Sequence, residues 1–206
     1  MCLRWAIYCE KIGGGDKNKI EQLFHGNSET DLNEEDSSVL KKMRLVGAAK
    51  SAVNFEWPKQ EELEQIPNLE SLKLNSISFK QGKALKGIKL GFTDGIESPL
   101  FEAEKGSSLL DLQTAKIDTT KKISRIALLV TKSKTKHMIW GIKLYGENED
   151  EILVHLNWLD FNPDIAEWVF QDVPDGKEVI GVYGRKEKEL IVSLGFILWT
   201  PEQVQV

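Results

Sequence analysis

From Leu69 to Thr200 the chain is a succession of short apolar segments, each about as long as a β-strand and each closed by turn residues. SLKLNSISF sets Leu72, Leu74, Ile77 and Phe79 at near-alternate positions, and LKGIKLGFTDG follows, ending on the Asp94-Gly95 turn signal. ISRIALLVT, MIWGIKLYG, EILVHLNW and AEWVFQDV continue the series through the turn-like KSKTK, GENED, LDFNP and VPDG. The final pair is the clearest. Val179 to Tyr183 and Leu190 to Trp199 are rich in β-branched and aromatic residues, and the turn between them holds five consecutive charges that a buried segment could not carry unpaired. Such a series, with no convincing helix inside it, predicts a mainly β domain: a sandwich, a barrel or a prism.

Upstream of Leu69 the texture differs. Gly13-Gly14-Gly15 breaks any strand over Leu3 to Cys9, and an acidic cluster follows from Glu29 to Asp36. Val39, Met43, Val46 and Val53, at spacings of four, three and seven, predict an amphipathic helix over about 38–53, capped by Asp36 or Ser37. Trp57-Pro58 ends that pattern, and a short second helix over Glu61 to Gln65 precedes Pro67. The expected organisation is an N-terminal helical extension over 1–66 and a β domain over 67–206. An internal repeat is also visible. LKGIKL, IWGIKL and VIGVYG each place a glycine inside an apolar strand, at Gly87, Gly141 and Gly181, so that three hairpin-based units could stack about a pseudo-threefold axis.

Composition narrows the function classes. With 206 residues the chain suits one domain, or one domain and an appendage. A net charge of -5 argues against a general nucleic-acid binder, which usually carries a basic surplus. The two cysteines, Cys2 and Cys9, exclude a disulfide framework beyond the N-terminus and make a reducing, cytoplasmic setting the expectation. No apolar run reaches the roughly 18–20 residues of a membrane span, and the run after Met1 is too short for a signal-peptide core.

DGKEVIGVYGR, a short turn and LIVSLGFILWT together resemble the closing strands of jacalin-related lectins, and IWGIKLYG is similar to an earlier strand of that family. The resemblance covers about Leu69 to Thr200 and does not extend to residues 1–60. It implies a β-prism of three four-stranded Greek-key sheets, and a sugar site at the closing hairpin built on a Gly-x-x-x-Asp loop. Here Lys188 stands at the glycine and Val192 at the aspartate, and the family's glycine-rich opening is not evident ahead of Leu69. An alkyl group cannot accept the sugar hydroxyls that a carboxylate does. The resemblance therefore implies the fold with its principal monosaccharide site missing.

No catalytic centre assembles. His25, His137 and His155 lie in no recognisable frame, and Cys2 and Cys9 lack metal-ligand spacing. For His155, inside an apolar strand, a hydrogen-bonded or surface-facing ring is the plainer reading. Asp160, Asn162 and Asp164 have the spacing of half a calcium loop, but Ile165 and Gln171 stand where that loop needs glycine and glutamate. Lys132, Lys134 and Lys136, helped by Lys121 and Lys122, form a basic tip that reads as a charged turn. Trp140, Trp168 and Trp199, inside apolar strands, are expected in the core, while an exposed tryptophan would anchor an interface. The candidate ligand-binding residues are Asn157, Trp158, Asp160 and Asn162 in one loop and Arg185, Lys186 and Lys188 in the closing turn. The leading expectation is a non-enzymatic recognition or scaffolding module with a protein partner, using no cofactor and no metal. The alternative is a carbohydrate-binding lectin with a displaced or degenerate sugar site.

Overall fold

The computed structural model describes residues 40–47, 52–104, 110–132, 138–156 and 163–201. Thirteen strands are formed among them. In chain order they are β1 (Leu40–Lys42), β2 (Val46–Gly47), β3 (Val53–Trp57), β4 (Leu74–Gln81), β5 (Leu85–Phe92), β6 (Phe101–Glu102) and β7 (Gln113–Lys116), then β8 (Ile123–Thr131), β9 (Ile139–Gly146), β10 (Glu151–Leu156), β11 (Ala166–Asp172), β12 (Glu178–Lys186) and β13 (Ile191–Trp199). All pairing is antiparallel. One sheet runs β1-β13-β12-β3 with β2 also on β13, a second runs β6-β5-β4-β7, and a third runs β10-β9-β8-β11. The expected prism of three sheets is present. Among the described residues no helix is long and apolar enough to cross a membrane.

Each sheet is the same Greek key: a central hairpin with the third strand beside the second and the fourth beside the first. In the first sheet the hairpin is β12–β13, and its flanking strands come from residues 40–57, at the other end of the described chain. The central hairpins also share a core register. Ile88 pairs with Phe79, Ile142 with Leu128 and Phe196 with Val182, and none of the six is more than 1% exposed. The second strands of the three hairpins are thus equivalent. Gly87 and Gly141 lie on two of them, 54 residues apart, and the matching glycine on β13 is Gly195, another 54 residues on. Gly181 instead sits on a first strand, where the backbone of Trp57 and the ring of Pro58 leave no room for a Cβ. The repeat is therefore real, but its third member is Gly195.

Residues 40–57 depart most from expectation. In place of a helix over about 38–53, the described residues of that stretch are extended and paired to the closing hairpin. Met43 and Val46, three apart, do point the same way, both buried at 7% and 5%. They do so because a non-strand interruption at Met43–Leu45 resets the alternation between β1 and β2, with the Met43 amide donating to the Phe196 carbonyl at 2.9 Å. Val53, assigned to the same apolar face, is 58% exposed. The β-sheet structure consequently begins well before the expected boundary at Pro67. The short helix before Pro67 exists, as a 3-10 turn over Gln60–Gln65 whose amide at Lys59 is met by the Glu62 carboxylate at 2.7 Å.

Side-chain contacts join the sheets at matching ends. The Lys186 ammonium donates to the Glu102 carbonyl at 3.0 Å, tying the β12–β13 turn to β6, and Phe55 stacks on Phe101 with centroids 4.7 Å apart. His155 on β10 stacks on Phe79 of β4 at 3.9 Å and shares a 3.3 Å hydrogen bond with the Gln81 side chain. The β4–β5 and β12–β13 turns and the ends of β10 and β12 therefore lie at one end.

Candidate functional site

At that end, the β12–β13 turn is compact. The Glu187 amide donates to the Leu190 carbonyl at 2.9 Å, so only four residues separate the strands. Lys188 projects from it, exposed, whereas Arg185 and Lys186 are half-buried and Lys186 is committed to the Glu102 carbonyl. Val192 is 3% exposed, its alkyl side chain packed away from solvent. The 54-residue repeat puts Met138 and Ala84 at the equivalent places of the other two hairpins, and neither carries a side-chain oxygen to accept from a hydroxyl. None of these three equivalent places, Ala84, Met138 and Val192, carries a carboxylate. Asn157, Trp158, Asp160 and Asn162 lie outside the described residues, as do Lys134 and Lys136.

Two further expectations change. Lys121 and Lys122 do not lie beside Lys132, because they precede β8 and Lys132 follows it, so the strand's length of about 30 Å separates them. They pair with carboxylates instead, Lys121 with Asp150 and Lys122 with Glu147 and Asp175 at 3.3 and 3.2 Å. Trp140 and Trp199 are buried at 4%, but Trp168 is only half-buried. His155 is the packed, hydrogen-bonded ring that its setting suggested, and burial pushes its pKa below the ordinary value.

Trp168 belongs to a surface that the candidate list left out. Across the third sheet, the rows Val169–Leu128–Ile142–His155 and Gln171–Ile126–Leu144–Leu153 face the core. The intervening rows face outward: Trp168–Leu129–Gly141, Phe170–Ala127–Lys143–Val154 and Asp172–Arg125–Tyr145–Glu151. Phe170 and Val154 are 53% and 45% exposed, and the Tyr145 and Phe170 rings lie 6.3 Å apart. Lys143 reaches across the middle, its ammonium 5.2 Å from the Trp168 ring centre and 6.0 Å from that of Tyr145. Its 2.6 Å hydrogen bond to Glu151 raises its pKa, outweighing the burial that would lower it. Arg125 bridges Asp172 at 2.6 Å and Glu149 at 3.2 Å beside it. The sequence did carry a signal for this face. An edge strand of an antiparallel sheet normally alternates apolar and polar, yet in AEWVFQD both Trp168 and Phe170 fall on the side opposite the core.

Among the described residues no three of His, Cys, Asp and Glu gather closely enough to hold a metal ion. No protein-family model and no curated protein matches the chain. Solved structures do match. A Malaysian banana lectin superposes with a TM-score of 0.51 at 13% identity, over 78% of this chain and 98% of its own. A mannose-binding jacalin-related lectin from Ananas comosus gives 0.51 at 14%, over 79% and 99%. The mannose-binding lectin of Champedak gives 0.52 at 8%, over 79% and 98%. At these identities the likeness is one of fold, and the fold is the β-prism of jacalin-related lectins. The proteins from Ananas comosus and Champedak are mannose-binding lectins.

Proposed function

We propose that the chain is a non-enzymatic carbohydrate-binding module whose sugar site lies away from the β12–β13 turn. The observation that carries this reading is the complete prism, three Greek-key sheets closed around one core, which is the architecture of the lectins above. Fold alone does not fix a ligand. The turn itself speaks for displacement: buried Val192 and exposed Lys188 replace the groups that would bond sugar hydroxyls. The scaffold reading draws on no comparable likeness.

A glycan array probed with the full chain tests the reading. Retention of at least one neutral oligosaccharide is expected, and it should persist when Arg185 to Glu189 is replaced by a glycine-serine turn. A blank array from protein with an intact near-UV spectrum would sink the proposal, and binding lost on replacing the turn would return the site to the hairpin.

A further inference from the structure

We propose that the outward face of the β10-β9-β8-β11 sheet is the saccharide platform, and that it takes a neutral, β-1,4-linked pyranose chain. This rests on the carbohydrate-binding reading above and gives it a location and a ligand class. Three aromatic side chains share the face, on alternate rows of the pleat: Trp168, Phe170 and Tyr145. A rise of about 3.3 Å per residue spreads their rows over roughly 13 Å, longer than a single pyranose ring. Equatorial linkage leaves a pyranose with C–H groups on its faces and hydroxyls at its rim. Aromatic rings receive such faces, and ionic groups at the edge exchange hydrogen bonds with such rims.

The charges decide between occupants. In a protein–protein interface the buried centre is depleted of charge. Here Lys143 lies between the Trp168 and Tyr145 rings, and Arg125 sits in the Tyr145 row, so charge and aromatic interleave. Each cation is already paired, Lys143 with Glu151 and Arg125 with Asp172 and Glu149, which holds donors and acceptors in place without a mobile counter-ion. Two cations against three carboxylates leave one negative charge, which suits a neutral chain and repels a sulfated or phosphorylated one. The length and near-neutrality of the face together favour an oligosaccharide over a protein surface or an anionic ligand.

Titration calorimetry of the full chain with cellohexaose and with β-1,4-mannohexaose tests the assignment. Phe170 and Tyr145 lie outside the core rows, so Phe170→Ala and Tyr145→Ala should leave the melting temperature within a few degrees. Each should weaken binding about tenfold, the scale of one lost stacking contact, and the double variant should abolish it. Replacing the Arg185 to Glu189 turn should change nothing. Unchanged affinity in the double variant would overturn the location while leaving the carbohydrate reading intact. Array binding confined to α-linked or anionic glycans, with neither hexaose bound, would overturn the ligand class. A self-associated chain that Phe170→Asp turns into monomers would make the face a contact between copies and overturn the platform. A blank array would remove the carbohydrate reading and the platform with it.

Discussion

Phe196 shows what the core asks of one residue. It lies at the centre of an inner strand, fully buried and paired with Val182, at the place that Ile88 and Ile142 hold in the other two hairpins. Phe196→Ala should cost about 3–5 kcal/mol, since three packed sheets cannot collapse into the space left. Urea denaturation measures it, and a loss under about 1 kcal/mol would mean that the site relaxes freely. His155 makes a different prediction. Burial against Phe79 favours its neutral form, so its folded pKa lies below the ordinary 6.5. The unfolded chain then binds the proton more readily, and stability falls as pH drops through about 6.5 toward the folded value. The pH 7.5-to-5 loss of stability should therefore be smaller in His155→Asn than in the parent protein. Equal slopes would show that the ring titrates alike in both states. At Val192 the expectation concerns ligand: neither mannose nor galactose should bind the hairpin more tightly than about millimolar, a free energy near 4 kcal/mol.

At the scale of elements, the first three strands matter most. They flank the closing hairpin on both sides, β1 and β2 on β13 and β3 on β12. A side chain reinforces the join: the Tyr183 hydroxyl donates to the Met43 carbonyl, with the ring lying over Gly195, where a Cβ would sit 2.5 Å from its edge. The second sheet uses its glycine likewise, with Lys80 beside Gly87 reaching Glu102 at 2.7 Å on the far strand. A chain beginning at Pro67 would lose β1, β2 and β3 and leave both hairpin edges unpaired. We expect it to aggregate or to bind a hydrophobic dye, while a chain beginning at Ser38 keeps the native near-UV spectrum. A soluble Pro67 product with native aromatic signals would show that the hairpin stands without its flanks.

For the whole molecule, one buried cluster draws on all three sheets, from Val46 and Phe55 through Phe79 and Ile88 to Leu128, Ile142 and Phe196. The third sheet adds only a small cluster of its own, Leu129, Trp140 and Ala166. Far-UV and near-UV signals should therefore follow one urea transition. Separated midpoints would mean that a sheet unfolds independently.

Eight of the strands were legible because each carries its own evidence: apolar residues at alternate positions, β-branched and aromatic enrichment, and a turn on either side. That local regularity also pointed to three stacked units, since a glycine-bearing apolar strand recurs at Gly87, Gly141 and Gly181, although at unequal intervals. Tertiary structure decided the rest. The stretch from 40 to 57 resembles a helix in spacing, and β1, β2 and β3 form within it because the edges of β12 and β13, more than 120 residues away, supply their hydrogen bonds. Gly195 rather than Gly181 completes the repeat because equivalence depends on position within a hairpin, which spacing along one strand does not encode. The aromatic face of the third sheet arises in the same way: Trp168, Phe170 and Tyr145 sit on strands separated in sequence, and only cross-strand register places them on one side, facing out.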